Sequence, residues 1–360
     1  MRICLLGNAA SIHLQRWAKF FIQKGHEVQI ISLSPSTVEG AKVHHVTWWP
    51  PIKHLGYLAA LPRIRRLVRH ISPDVLHCHY AISYGVLGSL TGFKPLAIGA
   101  WGSDILVSPG TSKLRWAVLM RALRRADLIT SLADHITSEL IERGVPKEKV
   151  ETLPFGVDMD LFHARGNSLI DGEVDVICTR NFDDGYNVGA LLRALPRIIA
   201  RHPNLTCVLA GDGPHKGALK SLSETLDIES HLIWLGWISA TELAMWLRRA
   251  KVYVSPSLSD GTSTALTEAM ACGCFPVVSD IPANRPWVQN GKTGLLFPPS
   301  DPNALGNCVL DALESETLRE NALLMNRQKV NNTANWHTIM ERIEARYQRL
   351  IRAKTTTSLA

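Results

Sequence analysis

Short runs of consecutive apolar residues recur along the chain. They alternate with longer stretches in which apolar residues return every three or four positions. Runs of the first kind are strands buried on both faces, and stretches of the second kind are amphipathic helices. Their alternation predicts an α/β protein with parallel sheets covered by helices. Residues 3–6 read as a buried strand, 11–24 as a helix with Gly25 as its stop signal, and 28–32 as the next strand. Further strands are predicted over 75–79, 96–100 and 128–131. The segment LPFGVDMDLF (153–162) has no clear period and contains Pro, Gly and two Asp, so it reads as a connector. The pattern then restarts, with strands over 174–179, 206–210, 232–235, 252–255 and 275–278. Helices lie between them over 187–201, 216–226, 240–249 and 264–272. The resulting division is a first Rossmann-like domain over 1–153, a linker over 154–172 and a second domain over 173–332. A C-terminal helix follows within 333–360, a candidate to cross back to the first domain, with 355–360 as a frayed tail.

The chain's 360 residues suit two domains of about 150–180 residues each. Charged residues at 20% and hydrophobic residues at 46% exclude a disordered chain. A formal net charge of +7 points to anionic company without choosing among phosphates, nucleic acid and membrane. No recognised nucleic-acid module accompanies that charge, so no nucleic-acid partner is expected. The seven cysteines lie mostly in apolar runs and read as buried, reduced thiols; Cys272 and Cys274 are too close for a zinc knuckle. The N-terminal apolar run falls short of the roughly 7–15 residues of a signal-peptide core. No stretch reaches the ~20 apolar residues of a membrane span. The expected location is therefore cytoplasmic, with membrane contact at most peripheral.

The densest chemistry lies in SPSLSDGTSTALTEAMACG (255–273). A strand ends at Ser255, a polar loop follows, and a helix opens near Ser263, a natural N-cap, and closes at Gly273. Asp260 stands in the loop and Glu268 eight positions later on the helix. Free backbone N–H groups and the positive end of the helix dipole suit a diphosphate, and the two carboxylates suit sugar and ribose hydroxyls. A solvated loop with a satisfied carboxylate is an equally natural reading of the pattern alone.

This segment resembles the signature of glycosyltransferase family 4, the retaining nucleotide-sugar glycosyltransferases of the GT-B fold. The match is carried by Gly261, Glu268-Ala269-Met270-Ala271, Gly273 and Pro276-Val277-Val278, with Asp260 where the family usually has Glu. Other landmarks follow in order: GNAASIHLQRWAKFFIQKGHEV (7–28), PDVLHCHYAISYG (73–85), AWGSD (100–104), LPFGVDMDLF, LAGDGP (209–214), WLGWIS (234–239) and NGKTGLLFPPSD (290–301). The resemblance implies two Rossmann-like domains facing each other across a cleft. It implies transfer of a sugar, with retention, from a nucleotide-diphosphate donor to a glycan or lipid-linked acceptor. It places Gly7, Asn8 and Ser11 near the donor diphosphate and Arg180 on the leaving group. Asp260, Gly261, Thr262, Ser263 and Glu268 would line the donor, and Gly236, Trp237 and Ile238 the base. His79 would approach the transferred sugar, with His77 and Asp104 on the acceptor side; an N-cap is the rival role for Asp104.

Two departures stand out. The family usually has a lysine about five residues after the arginine, where this chain reads RNFDDGYN (180–187). Pro286 follows Arg285 where relatives often have Glu. No metal or other cofactor is expected; Asp158 and Asp160 have Asp-x-Asp spacing but belong to the linker motif. A nucleotide-sugar epimerase of the same fold and a non-catalytic sugar-nucleotide-binding protein are the competing readings. Two basic stretches, 58–71 and 113–125, carry Arg and Lys beside apolar stripes. Each can be an ordinary sheet-packed helix or a contact with an anionic bilayer.

Overall fold

The computed structural model describes residues 1–47, 53–164 and 174–359, with the side chains of 53–56 and 355–359 left aside. Residues 165–173, in which the expected linker ends and the second domain begins, lie outside the described residues. The chain divides into two compact units: Met1–Pro154 with Thr338–Ala360, and Phe155–His337.

The first unit is a seven-stranded parallel sheet in the order β3-β2-β1-β4-β5-β6-β7. The strands are β1 (Arg2–Leu6), β2 (Glu27–Ser32), β3 (Lys42–His45), β4 (Val75–His79), β5 (Leu96–Ala100), β6 (Leu128–Ser131) and β7 (Val150–Thr152). Its helices are α1 (Ile12–Gln23), α2 (Lys53–Ile71), α3 (Val86–Thr91), α4 (Ser103–Leu106), α5 (Lys113–Arg125) and α6 (Asp134–Glu142). The apolar runs that predicted strands are the central ones, and β4 and β5 are buried at every position. Helix α1 packs Leu14, Trp17, Ala18, Phe20 and Phe21 inward, and Gly25, at φ +79°, turns the chain out of it.

The second unit is a six-stranded parallel sheet in the order β10-β9-β8-β11-β12-β13. Its strands are β8 (Val174–Cys178), β9 (Cys207–Leu209), β10 (Leu232–Trp234), β11 (Ala250–Ser255), β12 (Phe275–Ser279) and β13 (Leu295–Phe297). Its helices are α7 (Val188–Ile199), α8 (Lys216–Thr225), α9 (Ala240–Leu247), α10 (Thr264–Cys272), α11 (Pro302–Glu314) and α12 (Glu316–Ala334). The segment read as a connector is packed rather than loose. Val157 and Phe162 are buried in a core cluster with Ala269 and Val330, and Val157 N–H donates to Ala334 O at 2.7 Å.

The last helix, α13 (Trp336–Leu359), runs through the residues expected as a frayed tail. From Thr338 onward it belongs to the first unit. Glu344 holds His26 at 2.8 Å, and Arg342 and Arg346 reach Glu151 at 3.1 and 2.9 Å. Tyr347 is fully buried, stacks on Phe21 and is hydrogen-bonded to His77 Nδ1.

His77 and His79 point to one face of β4, as strand alternation requires. Both rings pack on Trp17, with centroids 4.8 and 4.9 Å away, and Trp101 closes on His79 at 5.3 Å. Burial disfavours the charged imidazolium, lowering His77 well below its usual range and His79 to about 3; His13 beside Trp101 falls to about 4. As pH drops below 6.5, the unfolded chain takes up protons that these folded histidines refuse. Stability is therefore present above 6.5 and drains away toward pH 3, at about 1.4 kcal/mol per pH unit for each fully buried histidine. Asp104 has the opposite sign. Burial raises it to about 6, so between pH 6 and its ordinary 3.8 the folded chain holds the extra proton and recovers part of the loss. Urea denaturation across pH 7.5 to 5 should show falling stability, and His79→Phe should remove one proton from the slope; a flat profile for the unsubstituted protein contradicts this account.

Candidate functional site

In a parallel sheet every strand ends on the same edge, and a ligand crevice opens where the strand order reverses. The second unit reverses between β8 and β11, whose next strands in sequence lie on opposite sides. The loops leaving these two strands carry Arg180 and the 256–262 segment, so the site expected from two distant motifs is brought together here.

Arg180 is 6% exposed. Its Nη2 donates to Asp260 Oδ2 at 2.5 Å and its Nη1 to Ser263 Oγ at 3.0 Å, while Nε finds no partner among the described residues. The guanidinium lies over the ring of Tyr186, 4.1 Å from its centroid. Burial alone would lower the pKa of this cation. Asp260, with the nearby hydroxyls of Tyr253 and Tyr186, outweighs burial and raises it, so Arg180 stays charged. Ser263 is the N-cap of α10; its Oγ also accepts from Leu266 N at 3.2 Å, and Gly273 closes the helix at φ +97°. The helix thus runs over the predicted residues with the predicted caps. Asp260 turns its other oxygen to Gly261 N at 2.8 Å. Thr262 is buried and Glu268 half-buried on α10.

The neighbouring loop after β9 seals the back of the site. A Cβ on Gly211 would stand 2.2 Å from Arg180 O, so only glycine lets the two backbones approach. Phe182 N donates to Asp212 O at 3.0 Å and Leu258 N to Gly185 O at 2.9 Å, tying three crest loops together. After β10, Gly236 adopts φ +67° and faces Asp212, Ile238 is half-buried, and Trp237 is 73% exposed. An exposed indole at the crest is an open stacking surface.

The first unit reverses between β1 and β4. Gly7 follows β1, and a Cβ there would stand 3.1 Å from His79 Cβ. Asn8 closes an Asx turn on Ala10 N at 3.0 Å, and Ser11 is the N-cap residue of α1, its hydroxyl making no cap bond. His79, which the resemblance places near the transferred sugar, is 2% exposed and His77 1%; Trp17 of α1 lies against both rings and Tyr347 of α13 against His77. Asp104, expected on the acceptor side with a helix N-cap as the rival role, sits in the first turn of α4. It is fully buried, and its carboxylate accepts Ala81 N at 2.6 Å and Trp101 N and Gly102 N at 2.9 Å, pinning the loops after β4 and β5 together.

Asp158, Asp160 and His337 have ligand-type atoms within 4.8 Å of one another, but Asp158 Oδ1 already accepts Asp160 N at 3.1 Å and Leu161 N at 3.2 Å. All seven cysteines are free, six of them buried. Sequence reasoning missed Tyr186 against Arg180, the bond from Arg180 to Ser263, and Tyr347 against His77. The last spans 270 positions and leaves no local signal.

Two family models match. Residues 2–133 match "Glycosyl transferase 4-like" and residues 163–328 match "Glycosyl transferases group 1". Among curated relatives, a GDP-mannose-dependent alpha-(1-6)-phosphatidylinositol monomannoside mannosyltransferase of Mycolicibacterium smegmatis is 28% identical over 70% of each chain. A phosphatidyl-myo-inositol mannosyltransferase of the same organism is 25% identical over 93% of this chain and 89% of that one. Among solved structures, Anabaena HepE in complex with UDP and glucose superimposes with a TM-score of 0.81, at 18% identity over 97% of this chain and all of that chain. Sucrose-phosphate synthase of Thermosynechococcus elongatus gives 0.81 at 20% identity over 98% of this chain and all of that one. With two parallel-sheet units of the GT-B kind and family models matching residues 2–133 and 163–328, the chain belongs to the family 4 type of glycosyltransferases.

Proposed function

We propose that this glycosyltransferase takes its sugar from a nucleoside-diphosphate donor and passes it, with retention, to a hydroxyl of a glycan or lipid-linked acceptor at an anionic membrane surface. The observation that carries the donor reading is Arg180: a buried cation at the β8–β11 crest, beside the N-terminus of α10, with an N–H still to be satisfied. Such a group stabilises the charge that develops on a departing diphosphate. The acceptor oxygen bonds to the anomeric carbon as the bond from that carbon to the diphosphate breaks. The acceptor's proton leaves with the departing phosphate oxygen. Attack on the face being vacated preserves configuration without a covalent intermediate. Asp260 and Glu268 accept hydrogen bonds from donor hydroxyls, and Trp237 offers its face to the base. This scheme uses no resident metal. A GDP-mannose-dependent relative and the HepE complex with UDP-glucose support this reading.

The acceptor side is supported by α5 rather than α2. In α2 the stripe Ile64, Val68 and Ile71 is buried, and Arg63 and Arg65 donate to Thr47 O and Leu90 O. Helix α2 exposes Leu58 (53%), whereas α5 exposes both Leu114 (75%) and Val118 (44%) beside Lys113, Arg115 and Arg121, with Val107 (61%) ahead of it in the chain. Apolar side chains among cations suit insertion at an anionic interface. No helix of the described residues is long and apolar enough to cross a membrane. Two of the relatives carry phosphatidylinositol acceptors in their names.

The donor reading is tested with UDP-, GDP- and ADP-sugars in a thermal-shift screen, followed by donor hydrolysis and product NMR. One donor should stabilise the protein, Arg180→Ala and Asp260→Ala should each cut turnover by about 100-fold or more, and the product should keep the donor's anomeric configuration. Inversion would refute retention, and stabilisation by none of the sugars would refute the donor class. For the membrane, vesicles containing phosphatidylglycerol should float the protein and neutral vesicles should not. Replacing Lys113 and Arg121 by Gln should weaken binding by about tenfold or more; unchanged flotation refutes this contact.

A further inference from the structure

Arg180 is held from two directions. Along its edge, Asp260 and Ser263 take Nη2 and Nη1 and leave Nε unpartnered. Across its face lies the aromatic ring of Tyr186, at 4.1 Å. The edge contacts are the ones a phosphate also seeks, because carboxylate and phosphate oxygens compete for the same N–H groups. The face contact is outside that competition. The segment 181–187 supplies no second cation; it contains Asp183 and Asp184 instead. Within 180–187 a donor can therefore be met only by Arg180, whose charge is already shared with Asp260. Its orientation has to survive the moment when Asp260 gives up its share.

We propose that Tyr186 is the positioning residue for this step, holding Arg180 by its face so that the guanidinium keeps its place while its edge passes from Asp260 to the diphosphate. The backbone fits the task. Tyr186 ends a short 3-10 turn whose first N–H groups are tied down by Asp183, which accepts from Gly185 N at 3.0 Å. Gly185 O accepts Leu258 N at 2.9 Å, so the turn is bound to the loop that carries Asp260. Asn187, at φ 49°, ends the turn in the left-handed region and starts α7. The ring thus stands on a braced support rather than a free loop. The inference rests on the nucleoside-diphosphate reading above.

The test is calorimetric binding of UDP and GDP against UMP and GMP to the full chain and to variants at this position. The unsubstituted protein should prefer the diphosphate of one base to its monophosphate. Tyr186→Phe and Tyr186→Trp, which keep an aromatic face, should retain that preference. Tyr186→Leu should lose about tenfold of it while monophosphate affinity holds within about twofold. Tyr186→Met serves as a second non-aromatic variant if the leucine protein does not fold. Equal loss of both nucleotides, an unchanged preference in Leu and Met, or a Phe variant as weak as Leu would each overturn the role of Tyr186 and leave the donor reading intact. Failure of the unsubstituted protein to bind any of the four nucleotides overturns the donor reading itself, and the inference with it.

Discussion

A cation taken out of water must be repaid where it stands, and in this protein that place is the end of β8. Arg180 is buried at the reversal of the second sheet, and the surrounding loops are arranged as its compensation: a carboxylate and a hydroxyl on its edge and a phenol ring on its face. The constraint spreads outward. The loop after β9 needs glycine at 211 to reach the Arg180 backbone, and the loop after β11 is tied to the turn bearing Tyr186 through Leu258 and Gly185. Three separate segments are thereby fixed by one charge.

The first unit has the same kind of sheet reversal and fills it with different chemistry. There Gly7 lies over His79, whose ring and that of His77 pack against Trp17, with Trp101 over His79. Burial disfavours the charged form of both imidazoles, and the carboxylate of Asp104 is spent on three backbone N–H groups. The two crests are therefore unlike: one is charged and suited to an anionic group, the other aromatic and apolar. The absence of a lysine after Arg180 sharpens the difference by leaving segment 180–187 with one cation.

The legibility of the sequence follows from where the information is stored. Central strands such as β4, β5 and β12 are apolar without interruption, so they announce themselves, and α10 carries both of its caps in its own residues, Ser263 and Gly273. Edge strands escape: Lys42–His45 and Val150–Thr152 are half-exposed and lack the apolar run. Arg180, Asp260 and Ser263 were each visible in a motif, but their mutual bonds depend on two loops brought together by sheet order. Tyr186 had no pattern to betray it. The burial of His79 could not be read from β4 alone, because the cover comes from Trp17 of α1, a helix far away in sequence. Tyr347, beside His77, lies farther still.

The return of Thr338–Ala360 to the first unit bears on how the protein is made. A ribosome releases the first sheet long before it releases the helix that buries Tyr347 against Phe21 and His77. Until that helix emerges, the nascent N-terminal half must wait without its cover over Phe21 and His77, while the second unit, inserted between its two pieces, can already close its own core. Loss of the segment from Thr338 onward would thus strike the half of the molecule that was synthesised first.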